Sequence, residues 1–542
     1  MNTTDLRADF LAGATVALVG VPQCLAYALM SGLPPAYGLA TAVVPGLVAA
    51  IAGRSPFVIT GPTNTTGLLV LAALVPVLAP NGLIAPSGLG WLATLTLMCG
   101  VLRIMFALGG GAVVIRFIPE SVLGGFTVGV GVLIAVMQVD EALGLPPLTA
   151  ESVSQQYDRV IALFAAGTRP SSVAAVVTLG SVVALVVGQR AWRRVPVALI
   201  VVCAAGLIAW ALQLDGAAGL PLVRDRITVA GGWPPGAFPD LRPAVVGSLL
   251  VPASAIVLLG TLELLVSIRA DGSRPDVPRE IVAQGAANIA GAFWAAFPAS
   301  ASITRSALLR LTRPHTRAAA AFAAVITLPI LWYGSNLVGF IPQATLAAVL
   351  FTTALTMVTQ PTLSRVWRAS SVSRLLLGVT AISTLLLPLE WAVFVGAGLG
   401  LLIHVVKTSS PRVRALAFRD SRLVPVATGE QPDAVVLEVS GAVHYAAVDS
   451  LLEEGERALP SSASLVILDL SHAHELRFTG VRALEWWAKE LEGRGVTLRL
   501  AGVTPDIRDL LERAHSHLAY EAWDPEPGRS AWNSYRRARS IE

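Results

Sequence analysis

Two polar segments broken by glycine and proline interrupt an otherwise apolar chain: Gly61-Pro62-Thr63-Asn64-Thr65-Thr66-Gly67 and Phe297-Pro298-Ala299-Ser300-Ala301-Ser302-Ile303-Thr304-Arg305-Ser306. Irregular backbone at membrane depth survives only where it is buried in protein or lines a cavity. Paired breaks at matching places in two halves point to a transporter binding site. A half-helix starting in each segment offers unpaired N–H groups and an effective charge of about +0.5, so two facing termini approximate one positive charge without a cation. The chemistry predicted is reversible capture of a small anion. Threonine and serine hydroxyls can donate to anion oxygens while staying uncharged, although the same residue types also cap helix N-termini. The other chemical group is Glu263, well inside the apolar run Val246–Ile268. A carboxylate there costs several kcal/mol unless it is partnered or protonated. Beside a cavity it is a natural proton carrier; the competing reading is a fixed ion pair with an arginine at the cytoplasmic end.

The elements that must hold these groups follow from composition. With 54% hydrophobic and 14% charged residues among 542, and a mean hydropathy of +0.68, the chain is too apolar for a soluble protein of this length. Windows long enough to span a bilayer, about 20 residues or somewhat shorter where broken, recur from Phe10 to Val406, and about fourteen are expected. With a cytoplasmic N-terminus, Arg54, Arg103, the Arg190/Arg193/Arg194 cluster, Arg269/Arg274/Arg279, Arg310/Arg313/Arg317 and Arg365/Arg368/Arg374 fall on or beside cytoplasmic loops. The connections 79–90 and 334–342 carry no basic residue. This asymmetry places both termini in the cytoplasm and accounts for a pI near 9.2 without nucleic acid. Cys24, Cys99 and Cys203 lie in apolar spans without ligand spacing and read as core residues. Glu120 and Glu390 sit near span ends and read as interfacial or capping. Asp5, Arg7 and Asp9 precede a first apolar run that flows into a second, so that run reads as a retained helix rather than a cleaved signal.

Beyond Lys407 the spanning runs stop. A Ser/Pro/Arg-rich stretch, 408–433, reads as a linker. The β-rich runs 434–439, 465–470 and 496–500 then alternate with helical patterns at 447–459, 480–492 and 505–514, predicting a small α/β domain over 434–527. The polar, arginine-rich tail 528–542 reads as poorly ordered.

The sequence resembles a known family. Val21-Pro22-Gln23-Cys24-Leu25-Ala26-Tyr27-Ala28, Gly32-Leu33-Pro34-Pro35-Ala36-Tyr37-Gly38-Leu39 and Gly61-Pro62 are similar to the signature of the sulfate permease (SulP, solute carrier 26) anion transporters. Phe297 to Ala307 resembles their second signature, and the C-terminal part resembles a STAS domain. The resemblance implies a polytopic α-helical membrane protein over 1–407, with fourteen segments in two inverted repeats of seven. Segments 1–4 and 8–11 would form a core that moves against a gate of segments 5–7 and 12–14, followed by the cytoplasmic STAS domain. It also implies a homodimer in the cell membrane that carries sulfate, bicarbonate, chloride or a carboxylate. On the family pattern the substrate contacts fall at Gln23, Tyr27, Thr63, Thr65, Ser302, Ile303, Thr304 and Arg305; Tyr27 can equally be core packing, and Arg305 an anchor on backbone carbonyls. The family's eighth segment holds an acidic residue implicated in cation coupling, here Glu263. Glutamate favours a proton; sodium is the alternative, with Ser267 and Thr65 completing its site.

The STAS domain departs from its pattern, since Arg477-Phe478-Thr479-Gly480 replaces the usual Asp-Ser-Thr-Gly. Phosphorylation at this loop is thereby in doubt, Thr479 reads as a helix N-cap, and the domain serves dimerisation, folding or a cytoplasmic partner. Trp486-Trp487 reads as packing on the domain's sheet or on the membrane part. His472, His474 and Glu475 read as a solvated loop rather than a metal site, and Gly109-Gly110-Gly111 as a turn. No nucleotide, dinucleotide or metalloprotease motif occurs, so neither an enzyme nor a cofactor is expected. The leading function is a proton-coupled anion symporter working by elevator-like movement. The alternatives are an anion channel or exchanger of the same fold, and a membrane scaffold acting through the STAS domain.

Overall fold

The computed structural model describes residues 3–79, 82–111, 118–145, 170–192, 196–214, 220–226, 232–269, 276–333, 338–408, 412–419, 422–427, 430–443, 447–474 and 476–539. It divides into two compact units, Met1–Gly400 and Leu401–Glu542. In the first, eight described helices are long and apolar enough to cross a membrane, and shorter apolar helices stand between them. The order is α1 Thr3–Met30, α2 Pro35–Ala52, strand β1 Thr60–Gly61, α3 Asn64–Leu74, α4 Leu89–Leu108, α5 Glu120–Met137, α6 Ser172–Ala191 and α7 Val197–Ala211. There follow α8 Pro243–Arg269, α9 Val277–Ala292, strand β2 Ser300–Ala301, α10 Ile303–Leu311, α11 Ala318–Tyr333, α12 Gln343–Val358, α13 Ser371–Leu386 and α14 Leu389–Thr408. Each half therefore runs from a long helix with an internal proline, Pro22 or Pro252, through a second helix to a two-residue strand and a short helix. This is the order expected of a repeat of seven.

Packing sorts these helices into two groups. α9 lies on α4 and α2, α1 on α11 and α2, and α8 on α4 and α3; α5 packs on α13 and α12, and α6 on α12 and α7, while lesser contacts of α1 with α7 and α12 join the two groups. Small residues permit the close approaches that stand in for hydrophobic driving force inside a bilayer. A methyl group on Gly100 of α4 would lie 2.7 Å from the Ile289 backbone nitrogen of α9, and one on Gly285 would lie 2.8 Å from the Gly100 carbonyl.

The second unit carries a six-stranded sheet in the order β4-β3-β5-β6-β7-β8. β3 is Arg412–Arg419, β4 Arg422–Pro425, β5 Ala434–Ala442, β6 Leu465–His474, β7 Thr497–Val503 and β8 Tyr520–Ala522. The last four run parallel, as strand–helix alternation predicts, with α15 Val448–Ala458, α16 Phe478–Gly493, α17 Pro505–Arg513 and α18 Arg529–Ala538 between and after them. Trp487 is buried in this core, and its indole N–H donates to Glu456 Oε1 at 2.6 Å, whereas Trp486 is exposed.

Two expectations are corrected. The stretch 408–433 is no plain linker: β3 pairs antiparallel with both β4 and β5. Val413, Ala415 and Ala417 share one face of β3 and Arg412, Arg414, Leu416 and Phe418 the other, a period-2 pattern that the Ser/Pro/Arg composition masks. Nor is 528–539 a loose tail. Ala531, Ser534, Tyr535 and Ala538 recur at helical spacing, Ala531 and Ser534 are buried, and Trp532 and Tyr535 meet Phe418 of β3.

Candidate functional site

The two interrupted segments meet through backbone pairing. β1 and β2 are antiparallel, with Thr60 opposite Ala301 and Gly61 opposite Ser300. Ser302 N–H donates to the Ile59 carbonyl at 2.8 Å, and Ile59 N–H donates to Ser306 Oγ at 3.0 Å. From this ribbon α3 and α10 start. Thr63 caps α3, accepting from Thr66 N–H, and Ser302 caps α10, accepting from Arg305 N–H, both at 3.4 Å. In α3 the Thr65 N–H also donates to Asn64 Oδ1 at 2.9 Å, so the helix ends offer an anion their dipoles and the N–H groups that these caps leave over.

Behind the ribbon a polar scaffold on α9 holds β2 in place. Asn288 accepts from Ala299 N–H at 2.7 Å and donates to the Ala299 carbonyl at 3.1 Å, and Gln284 donates to Thr60 Oγ1 at 2.5 Å. Thr41 of α2 accepts from Phe297 N–H at 3.0 Å. These side chains satisfy backbone groups that would otherwise be orphaned in a buried strand.

Glu263, on α8, is 4% exposed and faces the ribbon. Its carboxylate accepts from the Thr63 hydroxyl at 3.3 Å and, more closely, from the hydroxyls of Thr65 and Ser300. One residue of α8 thus joins the first break and the second. Among the described residues no arginine or lysine reaches ion-pair distance of it, which removes the fixed ion pair as its explanation.

A cavity of about 230 Å³ opens beside this cluster. Tyr27, Thr63, Thr65, Glu263, Ser302, Ile303 and Thr304 line one wall; Glu120, Leu123 and Thr127 of α5, with Thr353, Thr356 and Met357 of α12, line the other. The cavity therefore lies between the two helix groups, with room for a small oxyanion and water.

Several expected residues are placed differently. Arg305 is buried and turned away from the cavity: it donates to the Pro62 carbonyl at 2.6 Å and to Cys24 Sγ at 3.5 Å, against Gly61. In this position it ties α10 to the Pro62 carbonyl beside the ribbon. Gln23 is not among the cavity-lining residues, and its carboxamide oxygen is buried without a partner. Ser267 does not join Thr65: its hydroxyl has no partner and its carbonyl accepts from Arg310 at 2.9 Å, so the expected sodium ligand pair is not assembled. Glu120, expected near a span end as interfacial or capping, is the first residue of α5 and also lines the cavity. Arg103, expected beside a loop, is 1% exposed within α4 and donates to the Ala299 carbonyl at 2.9 Å and to Gln284 Oε1 at 3.3 Å. In the second unit the N-cap of α16 is Arg477, not Thr479, which is exposed in the first turn. Glu475 lies outside the described residues, and among these no group of histidine, cysteine and carboxylate residues is placed to hold a metal.

Sequence reasoning missed Ser300, Gln284, Asn288 and the burial of Arg103. Polar residues four apart in an apolar helix, as at Gln284 and Asn288, were the available signal, as was an arginine inside a span.

A family model described as "Sulfate permease family" matches residues 6–380, and one described as "STAS domain" matches residues 426–518. YvdB of Bacillus subtilis, which is named for sulfate transport, is 26% identical, with 94% of each chain covered. The fold is shared with the murine Solute Carrier 26 family member A9 anion transporter in its inward-facing state, with a TM-score of 0.81 and 19% identity over 96% of this chain and 91% of that one. It is also shared with the transmembrane domain of the cyanobacterial bicarbonate transporter BicA, with a TM-score of 0.62 and 21% identity over 74% of this chain and 98% of that one.

Proposed function

This chain belongs to the sulfate permease family, and from that premise we propose that it is a proton-coupled symporter of a small oxyanion or carboxylate, working by movement of one helix group against the other. It is a multi-pass membrane anion transporter with a STAS domain, from a family of transporters rather than enzymes.

The observation that carries the coupling is Glu263. A buried carboxylate that accepts from Thr63 and Thr65 on one break and Ser300 on the other is part of the site geometry itself. Protonation of Glu263 rearranges those hydroxyls and removes a negative charge next to the half-helix termini, so a proton and an anion bind better together than apart. A proton is favoured over sodium because Ser267, the ligand needed to complete a sodium site, makes no hydrogen bond to the cluster around Glu263 and does not line the cavity.

The moving core is α1–α4 with α8–α11, and the gate is the remaining helices of the first unit. The segregated packing and the cavity between them support this division. The cavity is walled by the first turns of α5 and the last turns of α12, the ends nearest the basic connections, so it opens to the cytoplasm. Sulfate and bicarbonate are the first cargoes to test, since relatives are named for them. The protein works as a homodimer in the cell membrane with cytoplasmic termini.

The test is uptake of labelled sulfate and bicarbonate into liposomes holding purified protein, with and without an inward proton gradient. The gradient should drive accumulation by the wild type, and Glu263→Gln should keep anion binding while losing the response. An equal response in that variant removes Glu263 from the coupling, and a steady anion conductance without accumulation favours a channel.

A further inference from the structure

Arg103 is the most anomalous charge in the membrane unit. It is 1% exposed in the middle of α4, and although one guanidinium nitrogen donates to Ala299 and Gln284, its Nε and Nη2 have no hydrogen-bond partner. A buried cation left partly unsatisfied costs several kcal/mol unless a nearby charge offsets it. Room is made for it at Gly260 of α8, where a methyl group would overlap Nη2 and lie 3.1 Å from Ser300 Cβ. Gly260 is one turn from Glu263, and Ser300, the residue after the carbonyl that Arg103 holds, donates to Glu263. Arg103 and Glu263 are thus electrostatic partners across Ser300 without forming an ion pair.

We propose that Arg103 is the fixed cation of the anion site: ionised Glu263 compensates it, and a proton on Glu263 releases its field toward the N-termini of α3 and α10. This rests on the coupling role given to Glu263 above. The anion then sees two helix dipoles and one unscreened guanidinium when the proton is bound, and a compensated pair when it is not. Because Arg103 does not line the cavity, it acts through the field and through β2 rather than by touching cargo. The other titratable groups near the pair are Cys99, one turn from Arg103 on α4, Tyr27 of α1 beside Glu263, and Glu120 of α5 on the opposite wall of the cavity; Arg305 of α10 lies beyond Tyr27, held by the Pro62 carbonyl.

The experiment titrates sulfate into purified full-length protein, reading ligand-dependent melting at acidic and alkaline pH, for the wild type, Arg103→Lys, Arg103→Gln, Glu263→Gln and the double variant. At acidic pH Arg103→Gln should weaken sulfate binding roughly tenfold, the order one buried charge exerts nearby in a partly polar interior. It should also move the proton dependence to more alkaline pH, since a carboxylate without its counter-charge releases its proton less readily. Arg103→Lys keeps the charge and should keep both properties, a rescue that a purely structural hydrogen-bonding role does not predict. If Arg103→Gln fails to fold, the double variant, which leaves neither charge buried alone, should fold and bind sulfate more weakly than Glu263→Gln. Affinity and pH profile unchanged in a folded Arg103→Gln, or equal affinity in the double variant and Glu263→Gln, would overturn the proposal. A wild type indifferent to a proton gradient sinks the symport reading, while the sulfate affinities still decide whether Arg103 supplies the site's charge.

Discussion

Glu263 accepts from hydroxyls alone, and hydroxyls serve a carboxyl group in either protonation state: they donate to the ionised form, and one can turn to accept when a proton arrives. An arginine at the same place would hold the group permanently ionised. Removing one donor should therefore hurt the ionised form more. Ser300→Ala is expected to lower stability by about 1–3 kcal/mol at alkaline pH and by less at acidic pH, read as the difference between two melting curves of the purified protein. Equal losses at both pH values would show that Ser300 does nothing specific for the carboxylate. At this scale the sequence reading was uneven for a physical reason. Thr63, Thr65 and Ser302 stand out as hydroxyls beside glycine and proline, and Glu263 as a charge in an apolar run. The direction of Arg305 depends on which neighbour offers a carbonyl, and the partner of Ser267 depends on the turn of α8; neither is written in local spacing.

Among the elements, the β1–β2 ribbon aims two helix N-termini at one place, and its second strand hangs on Asn288. Asn288→Ala leaves the Ala299 N–H without its partner, while the carbonyl keeps Arg103, a loss of about 1–3 kcal/mol for the buried donor left unsatisfied. A melting temperature several degrees lower, with sulfate affinity reduced in the protein that remains folded, is the expected result. Unchanged affinity would mean that the ribbon does not set the site. The apolar helices were legible because length and hydropathy alone decide them, and the parallel strands because their β-branched runs are short and bounded. β3 and α18 were not, because their buried faces are built from alanine, serine and aromatic residues among arginines. Only pairing with β5, and contact of Trp532 and Tyr535 with Phe418, makes them ordered.

At the scale of the whole molecule the two units respond to acid by different chemistry. In the STAS unit partial burial works to raise the Glu456 pKa, but the Trp487 indole and then Arg494 outweigh it and hold the carboxyl below its ordinary value. A carboxyl lowered in the folded state contributes stability above its unfolded pKa and loses it as pH falls through the folded one. The protection of α16 amides in the full-length protein, corrected for the intrinsic pH dependence of exchange, should thus fall on acidification, and Glu456→Gln should flatten that dependence. In the membrane unit the proposed coupling has acid act instead through Glu263 and promote transport. The most direct test places a pH-sensitive dye inside liposomes holding the protein and adds sulfate outside, with the membrane potential clamped. Proton-coupled symport predicts that the interior acidifies as a carried anion enters, and that Glu263→Gln abolishes the signal. Entry of the labelled anion with no internal pH change in the wild type would contradict the account.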